Sequence, residues 1–206
     1  MENNLIAPGD VLLYSTVPAK RTFVQRMICK ITDSPYSHAE LVYLDGPDKL
    51  LVASAESPHM VSATMDERIA KSKTTRFLVL RWHSLPDPAD LSTQLFRIGS
   101  SAICRTLVAL KIPYDWRSIW AQARNYFRAL IPWVGKIFPI QEARLFCSET
   151  VQVVYKEAAG VNVQEGMKPQ PFFAPVHIEQ QARAGKFVVI ASYPPGLWET
   201  AQKEDR

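Results

Sequence analysis

Cysteine is scarce in this chain: three residues in 206, Cys29, Cys104 and Cys147, with no CxxC pair. An odd, scattered set excludes a disulfide framework and a paired-thiol zinc knuckle, and predicts free thiols in a reducing compartment. Histidine is nearly as rare, with His38, His59, His83 and His177 far apart and no HExxH. The expectation is therefore no metal site. No P-loop and no GxGxxG occur, so no nucleotide cofactor is implied. Long apolar runs are missing too. The longest uncharged stretch, Phe187 to Trp198, has 12 residues and two prolines, well short of the roughly 20 that span a bilayer. The opening MENNLIAPGD has neither the cationic start nor the apolar stretch of a secretory leader. This predicts a cytoplasmic protein, or one exported by a signal-independent route. A net charge of +4 is too small to call for a nucleic-acid partner.

What is present suits one domain over residues 1–206. Hydrophobic residues make up 47% of the chain, and Gly9-Asp10 turns it into the strand-like VLLYS (11–15). Phe23, Val24, Met27, Ile28 and Ile31 recur on one helical face, and TDSPYS (32–37) is turn chemistry. HAELVYL (38–44) and KLLVASAES (49–57), joined by Asp45-Gly46-Pro47-Asp48, read as a β-hairpin. A short helix near Met65 and a strand over 76–83 complete the first half. The second half opens with a helix from about Asp90 or Ser92, whose stripe of Leu91, Leu95, Ile98, Ala102 and Leu107 predicts the buried face. Residues 117–141 are an oddity: four basic residues, none acidic, five aromatics. They read as a helical insertion that suits an anionic membrane surface or an amphipathic hairpin packed on the core. A helix over 147–159 with Gly160 as its cap, a helix near 177–184 and the strand FVVIAS (187–192) follow. Strands first and helices later make the class α+β, an antiparallel sheet packed against helices.

Chemistry points to LFCSETV. Cys147 opens a predicted helix, where unpaired N–H groups and the helix dipole favour a thiolate. Cys29 and Cys104 fall inside amphipathic helices and read as packing residues. A nucleophilic thiol needs a base. His38, at the start of a strand, is the candidate; His59, His83 and His177 read as surface residues. The base needs an acceptor on its second nitrogen. Glu56 on the next strand can supply it: a turn centred near 46.5 pairs residue 38 with about 55, and a one-residue offset brings 56 opposite. Glu40 shares the face of His38 but, at a strand rise of about 3.3 Å per residue, is expected to project more than about 4 Å away. Tyr36 and Ser148 are candidate supporting groups, Tyr36 as a hydroxyl donor to an oxyanion.

GDVLLYS, TDSPYSHAELVY, LLVASAES, PYDW and FCSETV, in this order, resemble the circularly permuted branch of the NlpC/P60 superfamily, close to its YiiX/YebB-type members. The resemblance covers about residues 8–57 and 108–160. It implies a permuted papain-like fold, with Cys147 as nucleophile, His38 as base and Glu56 as third member. It also implies a thiol amidase or endopeptidase acting on cell-wall peptides through a thioester, without a cofactor. Two other readings stay open: an acyltransferase or acyl hydrolase of the lecithin:retinol acyltransferase type acting on lipids, and a non-catalytic binding module on the same fold. The oligomeric state is not legible.

Overall fold

The computed structural model describes residues 6–71, 75–85, 89–114, 147–167 and 173–195. The insertion expected at 117–141 lies outside them. Six strands form one antiparallel sheet. β1 (Val11–Thr16) lies at its centre, beside β2 (His38–Leu44) and β5 (Thr75–Trp82). β3 (Leu50–Ala55) and β4 (Met60–Thr64) extend it on one side, and β6 (Phe187–Tyr193) closes the other, giving the order β4-β3-β2-β1-β5-β6. The helices are α1 (Phe23–Thr32), α2 (Met65–Ala70), α3 (Leu91–Ala109), α4 (Cys147–Ala159) and α5 (Pro175–Arg183). The α+β architecture, with a six-stranded antiparallel sheet packed against helices, is as expected.

Alternation along the strands sends apolar side chains to both faces of the sheet. Val11, Leu13, Leu41, Ala53, Leu78 and Leu80 join Val151, Val154 and Tyr155 of α4 in the larger core. Leu12, Val42, Val52, Phe77 and Val79 form the second core with Met65 of α2. Strands buried on both faces explain why VLLYS and FLVL read as continuous apolar runs rather than alternating ones. β4 was not foreseen. Its sequence, MVSAT, is short, half polar and preceded by Pro58, so only its pairing with β3 (Ala55 with Met60, Leu51 with Thr64) makes it a strand.

α3 overturns the expectation for its buried face. Thr93, Phe96, Ser100, Ser101 and Cys104 point inward, whereas Leu91, Leu95 and Ile98 are exposed. The physical reason is the tight approach to α4: a Cβ added at Gly99 would meet the Cβ of Ala158 at 3.4 Å. At that crossing small side chains face α4, while one turn earlier the Phe96 ring packs on Tyr155 with centroids 5.0 Å apart.

Gly9 fixes the entry to β1. It adopts φ +88, and a Cβ there would lie 2.3 Å from Cε1 of Phe96. Its N–H donates to the Val42 carbonyl at 2.8 Å, and its carbonyl accepts from the Tyr155 hydroxyl at 2.7 Å. Next to it, the buried Asp10 carboxylate accepts from Arg81 Nε and Nη2, both at 2.8 Å. Gly9→Ala incurs both the left-handed backbone and the clash. It should cost about 2–4 kcal/mol, read as a lower urea midpoint; an unchanged midpoint would show that the turn relaxes freely.

Candidate functional site

His38 is the first residue of β2, opposite Tyr14 of β1. The turn that delivers it is pinned twice. Ser34 Oγ donates to Glu179 Oε2 of α5 at 2.7 Å, and the Ser37 N–H donates to the Tyr14 carbonyl at 3.0 Å. Side chains two residues apart on a strand share a face, so Tyr14, His38, Glu40, Ser54 and Glu56 gather on one side of three neighbouring strands. The β2–β3 register, Leu41 with Ala53 and Leu44 with Leu50, is the one-residue offset that turns residue 56 toward residue 38.

The direct partner of the imidazole is nevertheless Glu40, and this corrects the choice of Glu56. His38 Nε2 lies 3.3 Å from Glu40 Oε1 and 2.9 Å from Ser54 Oγ. Ser54 Oγ in turn donates to Glu56 Oε1 at 3.0 Å. Glu56 therefore reaches the base only through a serine hydroxyl, and its side chain is 46% exposed against 2% for Glu40. Strand rise alone misjudged Glu40, because both side chains lean along the strand and close the gap.

Glu40 is the hub. Tyr14 Oη donates to its Oε2 at 2.5 Å and Arg68 Nη2 to its Oε1 at 2.7 Å. The same Nη2 lies 3.0 Å from Glu56 Oε1. Arg68 is delivered by α2, which begins with a capping box: the Glu67 N–H donates to Thr64 Oγ1, and the Thr64 N–H to Glu67 Oε2. Burial would raise the Glu40 carboxyl, but His38, Arg68 and Tyr14 outweigh it and hold it below its ordinary range. Burial, reinforced by Glu40, pushes the Tyr14 phenol well above its usual value, so it remains a donor.

Cys147 is the first residue of α4, which packs on β2 and α3. Its sulfur interacts with the His38 imidazole by charge and by hydrogen bond. Nε2 of the same ring is engaged by Glu40 and Ser54. Burial would lower the imidazole; Cys147 first and Glu40 second reverse that and push it up to about 10. The other thiols lack such a partner. Burial raises Cys104 to about 12, and burial also raises Cys29.

A cavity of about 540 Å³ opens at this cluster, walled by Tyr14, Gln25, Ile28, His38, Glu40 and Arg68, among others. Cys147 is 1% exposed and does not line it. Reaction at sulfur therefore needs an opening toward that cavity.

No family model matches the chain, and no curated protein matches it. Among solved structures the chain is similar to the crystal structure of metalloprotein yiiX from Escherichia coli O157:H7, DUF1105. The two share 20% identity over 89% of this chain and 88% of that one, with a TM-score of 0.50. This likeness is one of fold. The expected membership of the NlpC/P60 superfamily is corrected accordingly: no NlpC/P60 model finds the chain, and five short motifs in order do not amount to a family match.

The supporting groups fare differently from the central pair. Ser148 donates its hydroxyl to the Phe173 carbonyl and is fully buried, so it is structural. Tyr36 packs in the helix-side core and is not part of the cavity wall. The other histidines stay outside the cluster: His59 bridges to Pro113, His83 is exposed, and His177 Nδ1 accepts the Ala174 N–H at 2.8 Å. Tyr14, Ser54 and Arg68 are not signalled as site residues by the sequence, and Glu40 is set aside there on strand rise alone. Only the HxE spacing of His38 and Glu40 signalled any of them in the sequence.

Two outcomes test this geometry. Glu40→Gln should slow alkylation of Cys147 at neutral pH by on the order of 10²-fold, and Glu56→Gln by only about two- to threefold; equal effects would return the third role to Glu56. The second concerns stability. The folded His38 holds its proton to about 10 against an ordinary 6.5. Its contribution to stability is thus complete below pH 6.5 and is lost as pH rises toward 10. The unfolding temperature should fall more steeply over that window in the native chain than in His38→Asn, and parallel profiles would contradict the pairing.

Proposed function

We propose that this chain is a cysteine hydrolase of papain-like design, cleaving an amide or related acyl bond through a thioester on Cys147. The observation that supports it is the coupling of the Cys147 sulfur to the His38 imidazole, residues more than a hundred positions apart that no structural need brings together. The high affinity of that imidazole for its proton keeps a proton donor beside the sulfur at neutral pH, as a general acid for a leaving group requires.

The thiolate attacks the carbonyl carbon and the C=O electron pair moves to oxygen. The backbone N–H of Cys147, at the start of α4, is a natural donor to that oxyanion. As the intermediate collapses, the C–N bond breaks and His38 gives its proton to the departing amine, leaving a thioester. Water then loses a proton to His38 while its oxygen attacks the thioester. Sulfur leaves as thiolate, the acid is released and the imidazolium is restored. Glu40 exchanges no proton. It holds Nε2, and Arg68 and Tyr14 hold it.

The cavity volume suits a small peptide or acyl group. The wall-peptide substrate came from the superfamily resemblance and loses its warrant with it. A second reading has an observation of its own. The yiiX protein is described as a metalloprotein, and here His38, Glu40 and Glu56 offer donor atoms within 4.8 Å of one another. The arrangement does not fit an ion, because Arg68 Nη2 already lies 2.7 and 3.0 Å from the two carboxylate oxygens a cation would need. No step is routed through a metal.

Iodoacetamide tests the proposal. Modification should be confined to Cys147, persist at pH 6, resist prior treatment with a chelator, and disappear in Cys147→Ser. His38→Ala should slow it by about 10²-fold or more at neutral pH. Labelling of all three cysteines together, and only after unfolding, would instead indicate a binding module. Mass spectrometry of a thioester trapped from mixed peptides and lipids then identifies the acyl donor.

A further inference from the structure

We propose that the outer face of α3 is a docking surface for an anionic membrane. Leu91, Leu95, Ile98 and Ala102 stand at i, i+4, i+7 and i+11, one row of the helix, and all are exposed, the three large ones by 57 to 67%. Leu110, just past the helix end, is exposed as well. The face turned to α4 and the sheet is Thr93, Phe96, Ser100, Ser101 and Cys104, so this row lies outside the core.

Charge selects the occupant. From Leu91 to Ile112 the chain carries Arg97, Arg105 and Lys111 and no acidic residue, although the whole chain is nearly balanced at 24 basic to 20 acidic. Arg105 and Lys111 are exposed, and Arg105 continues the apolar row at its next turn. With the exposed Asp90 at its N-terminal end and the exposed Arg105 and Lys111 at its C-terminal end, the apolar row carries an excess of cations that fits lipid headgroups of negative charge, with the side chains of the row at the acyl boundary. No helix among the described residues is long and apolar enough to cross a membrane, so α3 lies in the interface plane. Its 19 residues give about 28 Å of contact at 1.5 Å per residue.

The inference is independent of the hydrolase reading, because neither Cys147 nor His38 takes part. The full chain should float with vesicles of phosphatidylcholine containing about a third phosphatidylserine and not with phosphatidylcholine alone, and binding should weaken as salt is raised. The double variant Leu95→Gln, Ile98→Gln should lower the partition by about tenfold or more with an unchanged unfolding midpoint. Arg105→Gln with Lys111→Gln should lower it by about tenfold. Failure of the native chain to float, or equal partition of the apolar double variant, would overturn the proposal. So would a marked loss of stability in that variant, which would show the row covered by the chain itself. A dimer that the variant dissolves would assign the face to self-association instead.

Discussion

One buried carboxylate organises the site. Glu40 sits in the middle of a sheet where an unpaired charge would be expelled, so the chain must surround it with donors. Tyr14 from β1, His38 from its own strand and Arg68 from α2 converge on its two oxygens. Each donor is thereby fixed in orientation as well as in charge. The imidazole inherits the most from this. With Nε2 held, the ring is fixed in orientation. A buried pair of this kind contributes little net stability, but removing one member leaves the rest uncompensated. The site is rigid because its electrostatics are interdependent.

The fold serves that cluster by placing it at the join between the centre of a sheet and the end of a helix. β1 and β2 are buried on both faces, so their register is strongly constrained. Sulfur arrives from the other half of the chain on α4, whose inward residues Val151, Val154 and Tyr155 are wholly buried. Sequence-distant groups are thus brought together by two well-packed elements, the sort of support that precise chemistry requires.

Much of this was legible beforehand, for identifiable reasons. HAELVYL and CSETVQVVYKEAA have strong local patterns, and the structure gives them as β2 and α4 with the expected bounds. Cys147 and His38 were legible because a thiol at a helix start and a histidine at a strand start are rare in this chain. The carboxylate that meets the imidazole was not. Whether Glu40 or Glu56 meets the ring depends on the lean of side chains and on a guanidinium from a helix thirty residues away, and neither leaves a periodic trace. α3 misled for the opposite reason. Its leucine row is a clear signal of a buried face, yet α4 packs on the face of Phe96, Gly99, Ser100 and Cys104 instead, and tertiary packing overrode the pattern. The NlpC/P60 membership is not matched by any family model, whereas the fold likeness to yiiX agrees with the narrower resemblance to YiiX-type proteins.

The meeting of Gly99 and Ala158 carries a mechanical consequence. A methyl group at 99 would already be at van der Waals contact with α4; anything bulkier must push that helix aside. Interiors packed to this density transmit displacement rather than absorb it. A shift of α4 moves its first residue, and that residue bears the sulfur. A residue on an outer helix, far in sequence from Cys147, therefore bears on where that sulfur sits.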